Sequence, residues 1–141
     1  MNHRLVYFFE DIAQERFVRA LVRRAIQNKE DSIEEYVLNA TRGSRVWVEF
    51  RQFLWDLKQG QTPFPDVLIV VIDGNCRGHR QVQQDIMQEV WKKQVGVPAE
   101  KVVCAVPDPH IERWYLEDQR ALTSILPGAH IDKPKYKCER D

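Results

Sequence analysis

The sequence predicts an α/β fold, with a mostly parallel sheet covered by helices on both faces. Two observations carry that expectation. Apolar runs of strand length stand at residues 5–9 (LVYFF), 67–72 (VLIVVI) and 101–106 (KVVCAV). Such runs do not alternate with polar residues, as expected of strands buried on both sides. Segments of helical period separate them, and strand–helix alternation favours parallel crossover connections.

The elements follow in order. Residues 5–9 form the first strand and end in Glu10-Asp11. A helix comes next, with Val18, Leu21, Val22 and Ala25 on one side of the wheel and Phe17 and Ile26 at its borders. Arg16, Arg19 and Arg23 share the opposite side. That stripe reads either as a solvated face or as a phosphate-facing one, since the arginine fork suits phosphate oxygens. After the polar break at 28–32 (NKEDS), residues 33–40 remain open between a strand and a short helix. Residues 41–45 (TRGSR) form a small basic loop.

Trp47, Phe50, Leu54 and Leu57 then recur at three- and four-residue steps, an amphipathic helix with Gly60 placed to end it. Pro63 and Pro65 precede the central strand, which closes in Asp73-Gly74-Asn75 with Gly78 just beyond. Val82, Ile86, Met87, Val90 and Trp91 mark another helix, stopped by Gly96 and Pro98. The third apolar run is closed by Pro107-Asp108-Pro109. A last helix is expected over 110–125, with Ile111, Trp114, Tyr115, Leu122 and Ile125 on its apolar face. Asp118 shares that face, where a bare charge is costly to bury and needs a partner. One α/β domain over 1–126 results, and the polar stretch 127–141 reads as a tail or as the start of a longer continuation.

Composition narrows the function classes. A chain of 141 residues suits one ordinary core and not two. With 43% hydrophobic and 30% charged residues it reads as globular and not disordered. The 21 basic and 21 acidic side chains cancel, so only a local patch could serve nucleic acid. No apolar run approaches the roughly 20 residues that cross a bilayer, and acidic residues arrive too early for a signal peptide. Three cysteines (Cys76, Cys104 and Cys138) without a CxxC fit a reducing, cytoplasmic setting. Cys76 and His79 have C-x2-H spacing, but no second pair completes a structural zinc site.

Acidic residues follow all three apolar strands: Glu10 and Asp11, then Asp73, then Asp108 and Glu112. Ligands of open α/β sheets bind beyond the strands' carboxyl ends. Carboxylates converging there, with few bases in the same turns, are how proteins hold Mg²⁺ or Mn²⁺ by oxygen. Asp73 leads the candidates; its ordinary role is turn former or helix cap.

The stretches FFEDIAQERF, DVLIVVIDGNCRG and VPDPHIERWYLED, in this order, resemble the Toprim family. That family includes topoisomerases, bacterial primases, OLD-family nucleases and small bacterial relatives. The resemblance covers about residues 5–118. It implies a Toprim/Rossmann-like sheet, bound Mg²⁺ or Mn²⁺, and metal-dependent cleavage of nucleic-acid phosphodiesters. Position by position, Glu10 matches the family's glutamate and Asp73 the first aspartate of its DxD; Asn75 stands where the second is expected. Glu112 and Asp118 match the acids of the later helix. The implied catalytic residues are therefore Glu10 and Asp73, and the implied metal ligands Glu10, Asp73, Asn75, Glu112 and Asp118. Arg42, Arg45, Arg77 and Arg80, in or beside turns at the same edge, are candidate phosphate contacts; solvent exposure is the ordinary reading of each. An ATPase partner or further domain fits the same resemblance.

Two departures bear on it. An amide at Asn75 can ligate a hard cation but brings no charge, which weakens the case for a second metal. Asp11 stands where the family often has glycine and crowds the approach of a phosphate. Two further readings remain. One is a binding or regulatory module that keeps the fold without activity, consistent with neutral net charge and Asn75. The other is a receiver-like phospho-accepting domain, in which Glu10-Asp11 and Asp73 form the acidic pocket and Lys133-Pro134 the lysine turn.

Overall fold

In a computed structural model, residues 3–27, 32–112, 114, 120, 124 and 128 are described. The order is β1 (His3–Phe9), α1 (Ile12–Ala25), β2 (Ile33–Asn39), α2 (Val46–Lys58), β3 (Val67–Val71), α3 (His79–Lys93) and β4 (Val102–Ala105). The four strands form one sheet in the order β2-β1-β3-β4, and every pairing is parallel. The chain is thus α/β with an all-parallel sheet. Within the open segment 33–40, residues 33–39 form strand β2.

The apolar runs are continuous because both faces of the sheet are covered. Val6 and Phe8 of β1, with Leu68 and Val70 of β3, face Phe50, Phe53, Leu54 and Leu57 of α2 and Val82, Ile86 and Val90 of α3. Tyr7, Phe9, Ile69 and Val71 face the other way, towards Val18 of α1. Phe8 lies 5.1 Å from Phe50 and 5.4 Å from Phe53, ring centre to ring centre. Truncating one such fully buried aromatic costs about 3–5 kcal/mol.

The placement of the helices follows from strand order. The chain moves one way from β1 to β2, then reverses past β1 to β3 and continues to β4. Right-handed crossovers put the connections before and after a reversal on opposite faces. α1 accordingly covers one face, and α2 and α3 the other. The reversal parts the chain just beyond the carboxyl ends of β1 and β3, which are neighbours in register from Leu5↔Val67 to Phe9↔Val71. Such a switch point leaves a crevice between neighbouring strand ends.

β2 is ambiguous in sequence because it is an edge strand with its outer face in water. Glu34, Tyr36 and Leu38 are exposed, whereas Ile33, Glu35, Val37 and Asn39 turn towards α1. Side chains tie the inward face down: Asn39 donates to Glu15 at 3.1 Å, and Arg19 meets both Glu15 and Glu35 at 3.3 Å. Arg23 also lies 3.8 Å from Glu35. Two of the three arginines in the stripe of Arg16, Arg19 and Arg23 are therefore engaged with acids of this chain.

α2 ends at Lys58, and Gly60 follows with φ 76°, the left-handed position the sequence assigned to it. Of the expected last helix, Trp114 packs its ring 6.0 Å from Phe17; most of that segment, including Asp118, lies outside the described residues. Cys104 is a free thiol, whose pKa burial pushes up to about 11. Cys76 is disulfide-bonded, where the cysteine count suggested reduced thiols. No helix among the described residues is long and apolar enough to cross a membrane.

Candidate active site at the strand switch point

Glu10 and Asp73 leave the ends of β1 and β3 and enter the same crevice. The β1–β3 ladder continues one step beyond the strands, as the Glu10 N–H donates to Val71 O at 3.1 Å. That step brings the Asp73 N–H to Glu10 Oε2 at 3.0 Å. Both acids are nearly enclosed, Glu10 at 7% and Asp73 at 9% exposure.

Between them lies Gln14, which is fully buried. Its Oε1 accepts the Glu10 N–H at 2.9 Å, while Nε2 donates to Asp73 Oδ1 at 2.8 Å and to Glu10 Oε2 at 3.4 Å. Asp11 caps α1 by accepting the Gln14 N–H at 2.9 Å. Asp11-x-x-Gln14 thus has the spacing of a capping box, but the Gln14 amide reaches back one residue further, to Glu10. Gln14 is not among the residues expected from sequence; its place three residues after a capping aspartate was the available signal.

On the far side, His110 Nδ1 stands 3.4 Å from Asp73 Oδ2. His110 is brought there by the loop after β4, which is stitched to the loop after β3. The Gly74 N–H donates to Pro107 O at 2.7 Å and the Asn75 N–H to Pro109 O at 3.1 Å. Asp108 caps α3 from across this seam, its Oδ2 accepting the His79 N–H at 3.2 Å. A Cβ at Gly74 would lie 2.9 Å from Asp108 Oδ1, so a larger residue there would force the Asp108 side chain to shift. The loop after β2 approaches from the other side: a Cβ on Gly43 would stand 4.0 Å from Glu10 Oε1.

Electrostatics mark the pair. Burial raises the Glu10 pKa from 4.5 to about 7, with the Asp73 and Asp11 carboxylates adding to the rise and the Asp73 N–H opposing it. Burial also raises Asp73, against hydrogen bonds from Gln14 and His110 that lower it. Desolvation dominates in both, because two anions have been drawn out of water into one crevice.

The other expected site residues are distributed as follows. Asn75 is exposed in the turn with φ 47°. Glu112 is exposed, and among the described residues no three His, Cys, Asp or Glu side chains are grouped to hold a metal ion. Arg42 and Arg45 are exposed and flank Gly43. Arg77 pairs with Asp85 on α3, and Arg80 is exposed in the first turn of that helix. The structure therefore unites Glu10 with Asp73, adds Gln14 and His110, and leaves Glu112 outside any such group.

The arrangement defines a class, a parallel α/β domain with an acidic pair at its topological switch point. No family model, curated protein or solved structure matches the chain.

Proposed function

We propose that this domain cleaves nucleic-acid phosphodiesters with the help of a divalent cation, Mg²⁺ or Mn²⁺, held at Glu10 and Asp73. The reading is that of a Toprim-like nuclease domain. The observation that carries it is the enclosure of these two carboxylates against each other where α/β sheets bind their ligands.

Such an ion would be held by the two carboxylates alone, since among the described residues no group of three His, Cys, Asp or Glu side chains is placed to hold a metal. Two acids with little access to water repel unless a proton or a cation intervenes, and burial has raised both pKa values. Mg²⁺ commonly takes only one or two protein carboxylates and keeps several waters. When bound, the ion supplies neutralising charge at the phosphate and acidifies a water. The chain's own residues do the rest. Asp73, fixed by Gln14 and His110, orients the cation side of the crevice. Glu10, whose pKa burial raises to about 7, takes up the proton released in the attack. Arg42 and Arg45, flanking Gly43, meet the neighbouring phosphates. An ATPase partner or further domain would deliver the nucleic acid.

The test is plasmid nicking across a Mg²⁺ titration. Glu10→Gln and Asp73→Asn are each expected to lower the rate at least about a hundredfold, the scale of losing a transition-state charge partner. Cleavage that persists in both variants removes the site assignment.

Asn75, which stands exposed in its turn and brings no charge where an acid is expected, favours a second reading. In it the domain binds nucleic acid and Mg²⁺ without cutting. Retained binding with no nicking at any Mg²⁺ concentration would select that reading.

A further inference from the structure

We propose that the cavity between α2 and α3 takes one unpaired base of the nucleic-acid strand whose phosphate lies at Glu10 and Asp73. The inference rests on the reading of that pair as a phosphodiester site, and it adds a substrate class, single-stranded nucleic acid.

The cavity measures about 190 Å³ and is lined by Trp47 and Arg51 of α2, Arg77 just before α3, and Asp85, Gln88 and Glu89 of α3. Strand direction sets its place. Both helices follow strands of one parallel sheet and cover the same face, so both begin at the carboxyl edge that carries the acids. Two short stretches of chain join the cavity to the crevice. On the α2 side, Gly43, where a Cβ would stand 4.0 Å from Glu10 Oε1, precedes Trp47 by four residues. On the α3 side, the Arg77 N–H donates at 2.9 Å to the carbonyl of Gly74, the residue after Asp73.

The lining selects the occupant. Arg77 pairs with Asp85, and Arg51 lies 3.7 Å from Glu89. Cations and anions cancel, so the cavity has no excess charge with which to hold a phosphate. It offers instead an aromatic wall beside donors and acceptors, the complement of a planar, neutral, hydrogen-bonding ring. Trp47 is partly buried against the core, its ring edge-on to Phe50 at 6.0 Å, so the wall is held in place. Size agrees, because drug-sized ligands occupy roughly 300–1,000 Å³ and a smaller cavity suits a base without its sugar and phosphate. Those stay outside, where Arg42, Arg45 and Arg80 are exposed at the same edge. A base enters such a cavity only after leaving its stack and its pairing partner, which disfavours an intact duplex.

The test is fluorescence anisotropy with the full chain in chelator, using a labelled single-stranded DNA oligonucleotide, a labelled hairpin duplex, and a nucleoside monophosphate as competitor. The single strand is expected to bind at least tenfold tighter than the duplex. Trp47→Ala should weaken it about tenfold to a hundredfold, the scale of one lost base stack, and Trp47→Phe should restore most of the affinity. Trp55→Ala, on the same helix but outside the cavity and 46% exposed, should change nothing. Abasic positions moved along the oligonucleotide probe the unsubstituted protein directly: one position should cost the most, and that cost should vanish in Trp47→Ala. Equal affinity for single strand and duplex, no binding of either, no abasic position that stands out, or unchanged affinity in Trp47→Ala overturns the inference. So does a monophosphate that competes as tightly as the oligonucleotide, which would give the cavity to free nucleotides. Plasmid nicking separates the two readings. Nicking lost in Glu10→Gln, with oligonucleotide affinity unchanged in Trp47→Ala, sinks this inference alone; base binding at Trp47 without any nicking sinks the cleavage reading alone.

Discussion

Replacing Glu10 by glutamine is expected to stabilise the protein at alkaline pH in the absence of divalent ions, although it removes a carboxylate from the candidate active site. The folded-state pKa of Glu10 is about 7, against 4.5 for the ordinary group. A carboxyl whose pKa rises on folding binds its proton more tightly in the folded state. Below about pH 4.5 both states are protonated and the group adds no penalty. As pH rises towards 7 the unfolded chain ionises freely while the folded one must ionise a buried acid, so stability is lost across that window. Each tenfold change in proton affinity is worth about 1.4 kcal/mol. The full rise would amount to about 3 kcal/mol, and because Asp73 shares the repulsion we expect 1–3 kcal/mol, roughly, from Glu10 alone. Glutamine keeps an oxygen to accept the Asp73 N–H and the Gln14 amide, so little is lost in exchange. The assay is urea unfolding of both proteins in chelator from pH 4 to pH 8.5. The variant should match the parent at the acid end and exceed it at the alkaline end. Added Mg²⁺ should then stabilise the parent and not the variant, by mass action on the folded state. A difference that stays constant with pH, or a variant less stable at pH 8, would refute the electrostatic argument.

Two other perturbations test the frame around the site. Gly74→Ala drives a Cβ to 2.9 Å from Asp108 Oδ1 and 3.4 Å from the Asp108 Cα. It should cost about 1–3 kcal/mol, as overpacking does, and loosen the seam that delivers His110; thermal melting together with the His110 ring resonances would report both. Arg19→Ala removes the link between Glu15 of α1 and Glu35 of β2. We expect a loss of about 0.2–1 kcal/mol that shrinks in high salt, with nucleic-acid affinity unchanged. A large drop in that affinity would return the arginine stripe to a phosphate-binding role.

Much of the fold was legible in the chain. Residues 5–9 and 67–72 read as doubly buried strands because no polar residue interrupts them, and both faces of β1 and β3 are indeed covered. Gly60 read correctly as a helix end because only a left-handed residue fits there. β2 did not read clearly. Its exposed face carries Tyr36 and Leu38 beside Glu34, and its inward face carries Glu35 and Asn39 beside Ile33 and Val37, so polar and apolar residues mix on both faces and the inward polar side chains meet partners on α1 that no local pattern contains. The disulfide at Cys76 was equally beyond cysteine spacing.

The candidate site divides along the same line. From sequence, Glu10 and Asp73 were two of several candidate acids, because an acid directly after a buried strand has one end of the sheet available to it. Whether two such acids meet depends on strand order, which the sequence does not state. Only the tertiary structure set β1 beside β3, placing two residues 63 positions apart in one crevice, with the Asp73 N–H 3.0 Å from Glu10 Oε2. It also turned an ordinary helix-start glutamine into the link between them and kept Glu112, the third acid in the motif, exposed to water. The physical reason is that residue type fixes what a side chain can do, while burial and neighbours, which are non-local, decide what it must do.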